Sequence, residues 1–239
     1  NFLKEYDKAI VSLNFALRLS PSDNIYSKLG QVQLYAKDYS GSIQSYESIT
    51  HKTDICLYNS SFPYLAKKSF LMGYTLYEKR LVGNNICNQT GLLSRVEIQL
   101  PYWDGSEPCN HLMIAYEQGI GDNIQYFRFI IELSQKYPDL KITYFCKEAV
   151  SYLLNNNLYS NISILNDTKQ VDLSCYDKKI YIMSLPYILK IDILSANTIN
   201  YIYEDKYNND IWKNKLSVFN DKLKVGIVYK GLLNSTIDK

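Results

Sequence analysis

Histidine is scarce in this chain, which argues against the catalytic and metal sites that depend on it. Only His51 and His111 occur among 239 residues, so catalytic triads and metal sites built on histidine have little support. The five cysteines are odd in number, widely scattered and without a C-x-x-C pair, which argues against a disulfide framework and against a zinc site. We therefore expect reduced thiols, no metal centre and a cytoplasmic protein.

Long apolar runs and a strong charge excess are also missing. No segment approaches the roughly 18 consecutive apolar residues that a membrane-spanning helix needs. The chain opens with NFLKEYDKAI, which has no basic and then apolar leader. A net charge of +2 argues against a nucleic-acid-binding surface. We expect a protein with no membrane span and no nucleic-acid partner.

An internal repeat marks the first fifty residues. Four positions recur 33 residues later, so that Tyr6, Ala9, Leu13 and Ala16 are matched by Tyr39, Ser42, Tyr46 and Ile49. Pro21 ends the first helix, and Gly30 lets two paired helices pack closely. Because a period near 34 is typical of tetratricopeptide repeats, we predict the second helix of one repeat at about 5–19 and a complete repeat at about 24–51. An ordinary helical pair is the alternative.

A second helical segment and a polar linker follow. Residues 57–80 have the pattern of another helical pair, which closes with FLMGYTLYEKR; we expect its charged end, including Arg80, on a solvated edge. The stretch VGNNICNQTG is polar and contains glycine, as is typical of a linker. The predicted boundaries are 1–54 for the tetratricopeptide repeats and 55–100 for the helical hairpin and linker.

From about residue 110, apolar segments alternate with amphipathic ones. Strands are predicted at 111–116, 141–146, 161–166 and 179–185, with a helix from 122 to about 136 after the first strand. Such alternation predicts an α/β fold with a Rossmann-like parallel sheet, which we place at 101–223. The run LKVGIVYKG predicts another strand at 223–231 and hence the start of a second α/β domain at 224–239.

The turn EQGIGD, directly after the first predicted strand, is the candidate site. Gly119 and Gly121 fit a tight turn that brings backbone N–H groups towards a ligand at a helix N-terminus. A dinucleotide-binding fingerprint needs a third glycine where Ile124 stands, and no G-K-[ST] of a phosphate-binding loop follows. Asp122 is either a helix cap worth about 0.5–2 kcal/mol or a general base worth roughly 10²–10⁴ in rate. The residue pattern leaves both roles open.

Several segments taken together resemble a known family. In chain order they are YWDG at 102–105, EQGIGDNIQYFRF at 117–129, SLP at 184–186, Trp212 and KVGIVYKG at 224–231. This combination resembles tetratricopeptide proteins that carry a glycosyltransferase domain, relatives of the heptosyltransferases and of the O-linked N-acetylglucosamine transferases. The segment GYTLYEKR also resembles the family's Gly-Trp-x-x-Tyr-Glu-x-Arg element, with Tyr74 in place of the tryptophan.

The resemblance implies the amino-terminal, acceptor-side half of a GT-B fold, in a fragment that lacks most of the donor-binding domain. It implies inverting, metal-independent transfer of a sugar from a nucleotide-sugar to an acceptor hydroxyl, without a cofactor and with Asp122 as the base. The substrate-binding residues that it implies are Glu117, Gln118, Gly119, Gly121 and Lys230. For Lys230, a contact to the donor diphosphate competes with a role as a solvated loop lysine.

A function of another class fits the same segments. In this alternative the tetratricopeptide repeats bind a protein partner, and the Rossmann-like domain is non-catalytic. A protein acceptor bound on the repeats is compatible with the transferase interpretation as well.

Overall fold

A computed structural model describes residues 5–82, 100–154, 159–166, 172–192, 201–202 and 206–225. Within it the chain divides into two compact units, Asn1–Ile202 and Tyr203–Lys239. Lys230 and residues 226–231 of the last predicted strand lie outside the described residues, as does most of the predicted linker. The strand predicted at 223–231 therefore stays a prediction.

Five helices make up the described part of the chain before residue 83. They are α1 (Tyr6–Leu19), α2 (Asp23–Tyr35), α3 (Tyr39–Glu47), α4 (Asp54–Ala66) and α5 (Phe70–Tyr77). Each packs on the next one along the chain, and a short 3-10 turn, Glu78–Leu81, extends α5. The predicted helical segments are present, and their tetratricopeptide identity stays a prediction.

The α2–α3 and α4–α5 pairs share their caps and their turn. The side chains of Ser22 and Thr53 each accept a hydrogen bond from a backbone N–H in the first turn of the following helix. Each pair then reverses through a lysine in the left-handed conformation, Lys37 at φ 63° and Lys68 at φ 62°. Both sets of equivalent residues are 31 positions apart. One helical unit therefore occurs twice in tandem.

Gly30 permits the close approach of α2 and α3. A Cβ at this position would lie 2.8 Å from Cε2 of Tyr46, and Ser42 Oγ donates a hydrogen bond to the Gly30 carbonyl at 2.7 Å. The Tyr46 ring is buried in the core between the helices, so it has little room to move aside. The role that the sequence predicted for Gly30 is confirmed.

The second half of the first unit is built on a four-stranded parallel sheet. Its strands are β1 (His111–Ala115), β2 (Lys141–Cys146), β3 (Ile162–Asn166) and β4 (Lys178–Tyr181). The spatial order is β3-β2-β1-β4, and all pairs are parallel. The predicted α/β fold with a parallel sheet is confirmed.

Helices connect and flank these strands. They are α6 (Ile120–Lys136), which joins β1 to β2, α7 (Glu148–Ser151) after β2, and α8 (Leu185–Ile188) after β4. The fourth strand ends at Tyr181 rather than at residue 185, because residues 182–184 form a 3-10 turn. This early end places Ser184 beyond the carboxyl edge of the sheet.

The helical pair α4–α5 shares its core with the sheet. The rings of Tyr74 on α5 and Tyr126 on α6 meet edge to face at 6.4 Å, and Tyr77 Oη donates to Met183 Sδ at 3.6 Å. These four residues belong to one buried cluster with the strands. The α4–α5 pair is thus packed into the α/β part of the first unit, and the predicted domain boundaries stay predictions.

The second unit contains α9 (Lys206–Leu216) and a 3-10 turn, Ser217–Phe219. Trp212 lies on α9 with Lys215 Nζ 4.9 Å from the centre of its ring, a cation–π contact. Among the residues that the structure describes in either unit, no helix is both long enough and apolar enough to cross a membrane.

Gly30→Ala is expected to lower the free energy of unfolding by about 1–3 kcal/mol, because the added methyl group overlaps the Tyr46 ring. Gly121→Ala is the matched control, since a Cβ at Gly121 would meet nothing within 4 Å. Alanine there gains helix propensity of up to about 1 kcal/mol, so this control should be as stable as the parent or more so. Urea unfolding checks both variants, and a Gly30→Ala variant as stable as the parent would contradict the packing at Gly30.

Candidate functional site

The carboxyl edge of the sheet has a switch point between β1 and β4. The chain runs outward from β1 to β2 and β3 on one side and then returns to place β4 on the other. Open α/β sheets bind ligands in the crevice outside the carboxyl ends of such neighbouring strands. Glu117 follows β1 and Ser184 follows β4, so both stand at this crevice.

Arg80, from the helical part of the chain, fills the crevice. Its Nε and Nη2 donate to the two carboxylate oxygens of Glu117 at 3.0 and 2.7 Å, and Nη2 also donates to Ser184 Oγ at 2.7 Å. Nη1 donates to Glu78 Oε1 at 2.5 Å and to the Tyr77 carbonyl at 3.3 Å. These five bonds match the five N–H donors of a guanidinium. The arginine is held on every polar side.

The pKa of Arg80 depends on its burial and on the charges beside it. Arg80 is 1% exposed, which by itself lowers its pKa, but the charge and hydrogen bonds of Glu117 and the charge of Glu78 outweigh burial and hold the pKa above its ordinary value. Tyr102 Oη donates to the second oxygen of Glu78 at 3.1 Å. The guanidinium therefore stays charged at every pH at which the protein folds.

The expectation of a solvated edge is wrong for Arg80. Residues 78–81 continue α5 as a 3-10 turn, in which Arg80 lies on the same side as the buried Tyr77 three residues before it. The side chain of Lys79 stays 41% exposed. The signal that could have found the pair is the segment GYTLYEKR, in which Glu78 and Arg80 are the glutamate and arginine of the Gly-Trp-x-x-Tyr-Glu-x-Arg pattern that it resembles.

The turn between β1 and α6 is exposed above this ion pair. Gln118 is in the left-handed region at φ 60°, an uncommon conformation for a residue other than glycine. Gly119 is the N-cap of α6 with extended backbone, and Gly121 faces open space. Neither glycine has a positive φ, so the turn does not need glycine for its backbone. A lack of side chains leaves this face of the helix N-terminus accessible.

Asp122 caps its own helix. Its Oδ2 accepts a hydrogen bond from the Gly119 N–H at 3.0 Å, the geometry of an acidic residue at the third helical position that reaches back to the N-cap. Among the described residues, Oδ1 has no hydrogen-bond partner. The cap is therefore present, and one oxygen of the half-buried carboxylate is left to accept a proton.

Asn123 fixes the turn from below and was not predicted from the sequence. Its Nδ2 donates to the carbonyls of Glu117 and Gly119 at 2.7 and 2.6 Å, and its Oδ1 accepts from Tyr144 Oη on β2 at 2.6 Å. Asn123 and Tyr144 are both buried, so these bonds are shielded from water. No pattern in the sequence links the two residues, because the contact forms only when the sheet assembles.

The predicted substrate-binding residues fall into three groups. Gln118, Gly119 and Gly121 are exposed on the turn beside Asp122. Glu117 is 3% exposed and its carboxylate is bound by Arg80, so within this structure it contacts no open surface. Lys230 lies outside the described residues. In the described ranges no group of three or more His, Cys, Asp or Glu side chains is placed to hold a metal ion.

Comparison of the chain with protein-family models and with curated proteins gives no match. The assignment of function therefore rests on the residues of the site and on the motifs that the sequence contains.

Tyr144→Phe is expected to destabilise the protein by about 1–3 kcal/mol, because Asn123 Oδ1 loses its donor and stays buried without a partner. Tyr152→Phe is the control, since Tyr152 is 72% exposed and its change should stay within about 0.5 kcal/mol of the parent. Thermal or urea unfolding measures both. Equal stability of the two variants would show that the bond between Tyr144 and Asn123 contributes nothing.

Proposed function

We propose that this chain is the acceptor-side part of a GT-B glycosyltransferase with a tetratricopeptide-type helical end. One observation carries this proposal. Three segments of the family resemblance, far apart in sequence, meet in one buried network: GYTLYEKR through Arg80, EQGIGD through Glu117 and SLP through Ser184. Motifs that share a family pattern and also share a physical contact are expected to belong to one site.

In the proposed reaction Asp122 takes the proton from an acceptor hydroxyl as that oxygen attacks the anomeric carbon of the donor sugar. The Gly119 N–H holds one carboxylate oxygen, Oδ2, and we assign the proton transfer to the other, Oδ1. Transfer is inverting and needs neither a metal nor a cofactor, because cationic groups and N–H donors of a second domain, Lys230 among them, neutralise the departing diphosphate.

The helical end and the location complete the proposal. The tandem α2–α3 and α4–α5 units, with matching caps and left-handed lysines, support the assignment to tetratricopeptide-type repeats. Cys56, Cys109, Cys146 and Cys175, the cysteines of the described ranges, form no disulfide with one another, which supports a cytoplasmic location.

Asp122→Asn tests the base in a protein that joins this chain to a donor-binding domain. Asparagine keeps an oxygen that accepts the Gly119 N–H and loses only the favourable interaction of a negative charge with the helix N-terminus, about 0.3–1 kcal/mol, so folding should be preserved. Sugar transfer should fall by roughly 10²–10⁴ in kcat while acceptor binding changes little. Asp139→Asn, at an exposed carboxylate just before β2, is the matched control and should keep full activity.

A near-parental kcat for Asp122→Asn would leave Asp122 as a helix cap only. A loss of stability greater than about 1 kcal/mol in the same variant would mean that folding, not proton transfer, explains any loss of activity.

The isolated chain is expected to transfer no sugar and to bind nucleotide-sugars weakly at best, since the diphosphate-binding half of a GT-B site belongs to the other domain. Calorimetric titration with common nucleotide-sugars measures this directly. Micromolar affinity for the isolated chain would place the donor site in this domain and contradict the division proposed here.

A scaffold function is the second candidate, and a groove between α3, α4 and α5 favours it. The groove encloses about 250 Å³. Its apolar lining includes Leu57 and Met72, and its charged lining residues are Glu47 and Lys52. A protein partner or a protein acceptor could bind there. If a two-domain protein binds a partner through this groove but transfers no sugar, the scaffold is the better assignment.

A further inference from the structure

We propose that Arg80 is a positioning residue: it takes the place of a ligand in the switch-point crevice and holds the 117–122 turn in a single geometry. Arg80 itself contacts no open surface, because its side chain is 1% exposed. Only the consequence for Asp122 rests on the proposed transferase function. The effect of Arg80 on the turn stands independently of it.

A short chain of contacts leads from Arg80 to Asp122. Arg80 binds the carboxylate of Glu117 through two parallel bonds, and Asn123 binds the carbonyl of the same residue. Asn123 also binds the carbonyl of Gly119, whose N–H is bound by Asp122. Glu117 is thus held at both its side chain and its backbone. If the Glu117 side chain were released from Arg80, the turn would become more mobile. Asp122 would then be oriented less firmly, because it is bound to the N–H of Gly119 in that turn.

The ion pair is better suited to fixing a geometry than to adding stability. A buried ion pair is often no more stabilising than apolar residues of the same volume, since both charges lose their hydration. The planar fork of an arginine, however, fixes a carboxylate in both distance and angle, which a lysine does not. Such a constraint is useful next to Gln118, whose left-handed backbone needs support from its surroundings.

Occupation by Arg80 also determines where a substrate can bind. With the crevice filled by the protein's own guanidinium, an incoming ligand has to contact the outer face of the turn. That face offers Gly119, open space at Gly121, and the free oxygen of Asp122. The acceptor hydroxyl should therefore meet Asp122 and the backbone of the turn, with no contact to Arg80.

Arg80→Lys and Arg80→Ala test this proposal in the chain as it stands. Hydrogen exchange at the hydrogen-bonded amides of 119–123, those of Gly119 and Asn123, should be about tenfold faster in Arg80→Lys, which keeps the charge but not the fork. The amides of β2 should keep their protection. In Arg80→Ala, methylguanidinium should refill the space beside Glu117 and Ser184 and restore both the thermal midpoint and slow exchange of the turn.

Lys79→Ala is the matched control, because Lys79 is the adjacent residue of the same 3-10 turn and its ion pair is with Asp54 on α4, at 3.4 Å and partly exposed. It should exchange like the parent and should not respond to methylguanidinium. If Arg80→Ala does not fold, Arg80→Lys alone decides the question. Parental exchange at 119–123 in Arg80→Lys would overturn the positioning role, and so would a folded Arg80→Ala that methylguanidinium fails to rescue.

Kinetics in a two-domain protein separate this proposal from the function on which part of it rests. Arg80→Lys should lower kcat with little change in the acceptor KM, and methylguanidinium should restore kcat in Arg80→Ala. If the parental protein transfers no sugar while exchange and rescue behave as expected, the transferase function fails and the positioning role stands. If Asp122→Asn abolishes transfer but Arg80→Lys leaves kcat and exchange at parental values, the positioning role fails and the transferase function stands.

Discussion

Arg80 and Glu117 are 37 residues apart in the chain, and their buried ion pair joins its helical part to the carboxyl edge of the sheet. The pair lies beyond the carboxyl ends of the neighbouring strands β1 and β4, and Ser184, which follows β4, accepts a hydrogen bond from Arg80. Glu117 begins the turn that leads from β1 to α6, and Asn123 links its carbonyl to that of Gly119, whose N–H binds Asp122. The α4–α5 pair is thus part of the architecture of the site.

The cost of burying a charge explains why the polar atoms of this ion pair all have partners. A buried guanidinium or carboxylate without partners costs several kcal/mol, so each donor of Arg80 and both oxygens of Glu117 have to be satisfied. The partners of Arg80 come from three separate segments of the chain. The first supplies Glu78 and the Tyr77 carbonyl, the second Glu117 and the third Ser184. Residues 118–121 of the turn are exposed above this network, so that a buried network lies beneath an accessible helix N-terminus.

Local patterns in the sequence predicted most of the fold. The apolar runs predicted as strands overlap all four observed strands, although β4 is the shorter Lys178–Tyr181, and the amphipathic stretch after β1 corresponds to α6. Gly30 was correctly assigned to a close helix contact, because only a residue without Cβ fits against the Tyr46 ring. These features depend on periodicity or on one residue's size, which a sequence displays directly.

The network itself could not be predicted from the same patterns. An α-helical continuation of α5 would leave Arg80 with the other charges at its exposed end, and the change to 3-10 winding is set by tertiary packing. Asn123 sits next to the predicted Asp122, yet its partner Tyr144 is on another strand. The tandem unit also has a spacing of 31 in its caps and turns, which differs from the spacing of 33 between the matched residues of 6–16 and 39–49.

The coupling between Arg80 and Glu117 tests the central claim most directly. Urea unfolding of Arg80→Met, Glu117→Leu and the double variant gives their interaction energy as a double-mutant cycle. Each single variant leaves the other charge buried without its partner, so each should lose about 3–5 kcal/mol. The double variant should lose much less than the sum of the two, because neither Arg80 nor Glu117 is then left without the other. The lost contact to Glu78 is common to Arg80→Met and to the double variant, so it cancels in the cycle. Losses that add within about 0.5 kcal/mol would mean that the two side chains act independently, and that the ion pair does not hold the site together.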